Sequence, residues 1–179
     1  IIYPANTWFH KNHVVVLRAI DELKRRGLDT RLILTGAAGN AEQFVTSTVQ
    51  QLGLRDRVTT LGHVDRTALY GALHHAAALI YPSLLGPDNL PPLEAMSIGT
   101  PAIVADIPGA REQFQNAAWF FRGTDHTHLA DQIEMLLIDQ VARDSLVRAG
   151  FELTSRRTPE AYVKAIVREL EQEKLMLEP

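Results

Sequence analysis

The chain has 179 residues, 46% of them hydrophobic and 22% charged, and a formal charge of −3. That is ordinary globular composition with enough apolar residues for a core, and a slightly acidic chain lacks the basic face of a nonspecific nucleic-acid binder. It has no cysteine, which excludes disulfide frameworks, zinc ribbons and thiol catalysis, and no apolar run approaches the roughly 18 residues of a membrane span.

In chain order, the first predicted element is a strand over Ile1–Pro4. It is already under way at a start without methionine, as expected of a piece of a longer protein. A helix over Asn12–Arg26 follows, closed by the basic turn Lys24-Arg25-Arg26 and a C-capping Gly27. Then come a strand at Arg31–Thr35, a helix at Ala41–Leu52 closed by Gly53, a strand at Arg57–Thr60 and a helix at Arg66–His75. A strand at Ala77–Tyr81 leads to a helix at Leu90–Ile98, closed by Gly99 and followed by Pro101. The strand Pro101–Val104, the short helix Ala110–Phe114 and the strand Ala118–Phe121 come next, and Thr124 or Asp125 is placed to cap the helix His126–Ile138. Helices at Val141–Phe151 and Pro159–Lys174 end the chain. Proline at the first position suits that last start, and Ala161, Val163, Ala165, Ile166 and Leu170 predict one buried face. Such alternation predicts an α/β fold: a single doubly wound parallel sheet with helices on both faces, over residues 1–179.

Sheets of this kind take ligands at the carboxyl ends of their strands, where strand order reverses. The loops to inspect are therefore Asn6–Lys11, Gly36–Asn40, Gly62–Asp65, Ser83–Asn89 and Ala105–Gly109. In the fourth, Asn89 is a good N-cap type, and Pro91 and Pro92 stand in the first helical turn, where a missing N–H is no loss. A helix start of this kind carries unpaired N–H groups and about half a positive charge, a seat for phosphate. Glu94 follows Leu90 by four residues on the same side, and its acceptor-only carboxylate can take both hydroxyls of a ribose. On spacing alone, a well-capped helix with a solvated Glu94 is the plainer reading. Lys11, at a strand-to-helix turn, is placed to offset the charge of a leaving diphosphate. The loop Leu34-Thr35-Gly36-Ala37-Ala38-Gly39 is too short of glycines for a dinucleotide fingerprint, although its glycines allow a close backbone approach. His10 and His13 lack the further ligands that zinc needs.

The run Leu90-Pro91-Pro92-Leu93-Glu94-Ala95-Met96, with Pro82-Ser83 upstream and Gly99-Thr100-Pro101-Ala102-Ile103-Val104 after it, resembles the nucleotide-sugar clasp of family 4 glycosyltransferases. The likeness extends from about Tyr3 to Tyr162. It places Glu94 on the family's second glutamate, which holds the donor ribose, and Lys11 on a phosphate-gripping lysine of the first loop. The sequence departs from the family pattern in two places. Gly86 stands where the family has its first glutamate, near the donor sugar, with Pro87-Asp88-Asn89 in place of Gly-Phe-Gly, and Asn6 stands where an arginine is expected.

The resemblance implies the C-terminal, donor-binding half of a two-domain, retaining GT-B enzyme, with an N-terminal acceptor domain outside this chain. Its donor would be a nucleoside-diphosphate sugar, UDP- or GDP-linked, bound as substrate with no cofactor and no metal. Lys11 is the expected catalytic cation. Glu94, Lys11, Asn6, Gly36, His63, Ser83, Asp88, Asn89 and Leu90 are the expected donor contacts, with Asp88 or Asn89 as candidates to replace the missing glutamate. A donor contact from Glu112 is a lesser expectation. No nucleic-acid partner is implied; the expected setting is the cytoplasm, with membrane contact open to the missing half. A non-catalytic nucleotide-sugar module and a GT-B epimerase are the alternatives.

Overall fold

The structure is a computed structural model that describes residues 1–86 and 89–177. Six strands, β1 (Ile2–Pro4), β2 (Leu32–Thr35), β3 (Val58–Thr60), β4 (Leu79–Tyr81), β5 (Ala102–Ala105) and β6 (Ala118–Phe121), form one parallel sheet in the order β3-β2-β1-β4-β5-β6. The helices are α1 (His13–Arg25), α2 (Glu42–Gln51), α3 (Arg66–His75), α4 (Leu90–Ser97), α5 (Ala110–Phe114), α6 (His126–Ile138), α7 (Gln140–Ser155) and α8 (Pro159–Leu177). This is the expected doubly wound fold.

The central strands are short apolar runs because both of their faces are covered: every residue of β4 and β5 is buried. From β1 the chain winds outward to β3, then returns to β4 on the other side of β1 and winds outward again. With right-handed crossovers, these two senses put helices on opposite faces. α1 packs against α2 and α6, and α4 against α3 and α7. The α4–α7 contact is close because position 150 is glycine; a Cβ there would stand 3.1 Å from the Met96 Cβ. The reversal between β1 and β4 leaves a crevice at their carboxyl ends, where the loops after Pro4 and Tyr81 meet.

Three expectations need correction. The first helix starts at His13, after a 3-10 turn at Phe9–Lys11, and Asn12 is left-handed (φ 53°). Its amide donates to the Gly123 carbonyl at 2.7 Å and the Pro82 carbonyl at 3.3 Å. Those tertiary bonds, invisible to a local pattern, hold it out of the helix. The seventh helix runs Gln140–Ser155 rather than Val141–Phe151, because Asp139 accepts from the Ala142 N–H and caps it earlier. The predicted buried face of α8 is not buried: Tyr162, Val163, Ile166, Val167 and Leu170 are exposed. Periodicity marks these residues as one apolar stripe, but no described element packs over it.

Candidate functional site

At the reversal point a cleft of about 330 Å³ opens between the end of β1, the 3-10 turn and the start of α4, and its lining includes Ala5, Asn6, Lys11, Tyr81, Asn89 and Leu90. A larger cavity, about 560 Å³, lies at the amino ends of the strands around Ile1, Thr30, Arg31 and Ala77 and is mostly apolar. The smaller cleft combines a cation with a helix start, so it carries the chemistry.

Lys11 is delivered by the 3-10 turn. Its carbonyl accepts from the Tyr3 hydroxyl at 2.7 Å, which fixes the backbone. Its ammonium lies 3.4 Å from Ser83 Oγ, 3.5 Å from Tyr81 Oη and 5.6 Å from the centre of the Tyr81 ring. These are long contacts to neutral groups, and partial burial lowers the Lys11 pKa from its ordinary value. A half-desolvated cation with weak neutral neighbours is poised for an anion. Beneath the turn, His13 is buried with its ring 4.7 Å from that of Tyr3. Burial pushes its pKa down to about 4, so the imidazole is neutral at physiological pH.

The opposite wall is the start of α4. Asn89 occupies the cap position but makes no capping bond. It is left-handed (φ 41°, ψ 45°), and its amide instead donates to Gln113 Oε1 at 3.0 Å. The expected Asn cap is absent because Pro91 and Pro92, the second and third helical residues, have no N–H for it to accept from; the donors at this helix start are the N–H groups of Asn89 and Leu90. Ser83 is buried and donates to the Leu85 carbonyl at 2.7 Å, shaping the loop and steadying Lys11.

The remaining expected residues divide by position. Asn6 lines the cleft, yet its Oδ1 accepts from the Ala37 N–H at 2.8 Å, tying the first loop to the second. Gly36 (φ 133°) is approached closely, but by the chain's own backbone: a Cβ there would stand 2.3 Å from the Ala5 carbonyl oxygen. That packing by itself requires a glycine at this position. Glu94 is half-buried outside the cleft lining. After the Tyr70 hydroxyl, its carboxylate is among the groups that raise the Arg66 pKa, which puts it beside the start of α3. His63 is exposed on the loop just before α3. Asp88 lies outside the described residues.

A second, polar cavity of about 510 Å³ adjoins the cleft, sharing Gly86 and Asn89 with it, and is bounded by Gly109, Glu112, Gln113 and Arg157. Asn12, Tyr3, Tyr81 and Gln113 were not anticipated at the site. Aromatic residues ending β1 and β4 were a usable signal for the tyrosines; Gln113, remote in sequence, had none. Among the described residues no cluster of three or more His, Asp or Glu side chains is arranged to hold a metal, and no helix is long and apolar enough to cross a membrane.

The profile of the family described as Glycosyl transferases group 1 matches residues 1–153. The O-antigen chain mannosyltransferase RfbU of Salmonella typhimurium is 31% identical over 140 residues, covering 76% of this chain and 38% of that protein. Sucrose-phosphate synthase from Thermosynechococcus elongatus superposes with a TM-score of 0.81 at 21% identity, over 99% of this chain and 46% of that one. Anabaena HepE, solved in complex with UDP, superposes with a TM-score of 0.80 at 19% identity, over 96% and 48%. The chain thus spans less than half the length of each of these proteins.

Proposed function

The chain belongs to the group 1 glycosyl transferases, and from that premise we propose that it is the donor-binding part of a retaining, family 4 type enzyme that takes a nucleoside-diphosphate sugar. The acceptor site then lies in a further domain of the protein. The observation that carries the reading is that Lys11 and the start of α4, at Asn89 and Leu90, line one cleft at the reversal point of the sheet. A diphosphate seated there meets the lysine on one side and the positive end of α4, with the Asn89 and Leu90 N–H groups, on the other. Those groups draw off charge as the sugar departs, so their hold strengthens along the reaction. Glu94 and the loop before α3 lie to one side of that seat and suit a nucleoside, with the carboxylate accepting from the ribose hydroxyls. The UDP seen in the HepE complex supports a nucleotide occupant of this fold. The match to a mannosyltransferase supports a hexosyl donor.

Calorimetric titration of this chain with UDP, GDP and ADP tests the reading, with Glu94→Ala as control. One diphosphate is expected to bind weakly and the variant to bind more weakly still, while the chain alone transfers no sugar. No binding at millimolar nucleotide, or an unchanged affinity in the variant, overturns the site.

A further inference from the structure

Asn12 commits its side chain to the segment that flanks Lys11. Its amide nitrogen has two hydrogens, and both are taken: the Gly123 carbonyl accepts at 2.7 Å and the Pro82 carbonyl at 3.3 Å. Pro82 stands between Tyr81 and Ser83, whose hydroxyls lie 3.5 and 3.4 Å from the Lys11 ammonium. One side chain therefore clamps the residue after the lysine to the residue between the lysine's two hydroxyl neighbours.

The clamp belongs to a wider junction. The Leu84 N–H donates to the His10 carbonyl at 2.9 Å, so residues 10, 11 and 12 each meet a residue of the segment 81–84. Gly123, from the loop after β6, joins them because it has no side chain; a Cβ there would stand 2.9 Å from Leu84 Cδ2 and 3.6 Å from the Ala105 Cβ. Position 12 has to meet two demands at once. It is left-handed (φ 53°, ψ 41°), a region that glycine and asparagine tolerate best, and it carries two donors. Glycine meets the first demand alone, whereas asparagine meets both. The turn itself needs only the backbone: the Asn12 N–H donates to the Phe9 carbonyl at 3.0 Å, and its side chain makes no capping bond to α1.

We propose that Asn12 is the positioning residue of Lys11, holding the ammonium beside the Tyr81 and Ser83 hydroxyls and within the cleft that the start of α4 also lines. The proposal rests on the donor-binding reading above, in which Lys11 meets the diphosphate. Without the amide, the lysine side chain regains rotamers that a bound diphosphate must order again, which weakens binding. The Tyr3 hydroxyl still holds the Lys11 carbonyl, at 2.7 Å, so the loss falls on the direction of the side chain rather than on the course of the turn.

A double-mutant cycle on the chain tests this, read by calorimetric titration with UDP and GDP. Asn12→Gly keeps the left-handed backbone and removes both donors. With Lys11 present it is expected to weaken the diphosphate about ten-fold, as for one well-placed hydrogen bond. In the Lys11→Met background the same change is expected to alter affinity less than about two-fold, because the group it positions is gone. A merely structural role predicts equal losses in both backgrounds. Asn12→Ser, whose donor is one bond closer to the backbone, is expected to give the same pattern, and thermal melts establish which variants are folded. If the wild-type chain binds neither diphosphate, the donor-binding reading fails and the proposal with it. If one binds, and a folded variant matches the wild type or loses as much without Lys11 as with it, that reading survives and the positioning role is overturned. If neither variant folds, the amide serves the fold, and the positioning role is overturned as well.

Discussion

His13 provides the sharpest test of how the lysine turn is supported. Its imidazole is buried at 2% exposure against Tyr3, with neither ring nitrogen hydrogen-bonded to a side chain or backbone within normal geometry. Desolvation is the main cause of its depressed pKa, opposed by the nearby Ala5 backbone and by Glu42, with the positive Lys11 adding to it. The unfolded chain takes up this proton near pH 6.5 and the folded chain only near pH 4. Between those values the unfolded state binds more protons, so folding stability falls as pH falls, and below about 4 the effect levels off. At about 1.4 kcal/mol per unit, the window is worth roughly 3 kcal/mol, a large part of the 5–15 kcal/mol that a domain commands. Urea unfolding at several pH values from 7 to 4 measures it, with His13→Phe as the variant that keeps a ring but cannot titrate. The difference in stability between variant and wild type is expected to move in the variant's favour as pH drops through that window. Parallel pH curves for the two proteins would refute the argument, whatever their offset.

Gly36→Ala puts a Cβ 2.3 Å from the Ala5 carbonyl oxygen and 2.7 Å from the Asn6 nitrogen; the overpacking and backbone strain should cost about 2–3 kcal/mol, read by thermal unfolding, and a melt like the wild type's would refute the packing argument. Lys11→Met retains the aliphatic stem but removes the charge, so diphosphate affinity should fall about ten- to hundred-fold, as for one charge-assisted contact; calorimetry checks this. In the wild type, affinity should decline with rising pH before the ordinary lysine range is reached, because burial lowers the Lys11 pKa and binding needs the charged form. Deleting residues 159–179 removes an apolar stripe that the rest of the described chain does not cover, so the melting temperature should change by no more than about 2 °C; a larger loss would mean that α8 supports the core.

The sheet was legible because its signals are local. Helices α3, α5 and α6 have the bounds expected from their apolar pattern and caps, and Asp125 caps α6 by accepting from the His128 N–H at 2.9 Å. The rule that ligands sit at the strand-order reversal pointed to the loops that bear Lys11 and Asn89. What stayed hidden depends on partners distant in the chain. Asn12 reads as a helix start until Gly123, 111 residues on, takes its amide. Asn89 reads as a cap by residue type, but Pro91 and Pro92 leave it no N–H to accept from, and its amide goes to Gln113, 24 residues on. For Gly36 the sequence shows a glycine but not the first loop lying on it, which by itself requires one there. For α8 the pattern was read correctly as apolar and amphipathic, but a period cannot say what covers the apolar face.

Backbone strain gives a view of the site that owes nothing to motif matching. Among the described residues, the non-glycine positions with positive φ are Asn12, Asn89 and Gln115. Asn12 follows the lysine turn and ties together the loops after β1, β4 and β6. Asn89 begins the helix across the cleft, and Gln115 lines the polar cavity beside it. Each costs free energy that the fold must offset elsewhere, and such positions gather where geometry is fixed for function. A scaffold evolved only to be stable would place asparagine and glutamine in ordinary wells and leave the left-handed turns to glycine, as it does after α1, α2 and α4. The concentration of strain beside one crevice, at the point where the strand order reverses, is what the proposed donor site requires: these turns hold Lys11 and the start of α4 on facing walls of one cleft.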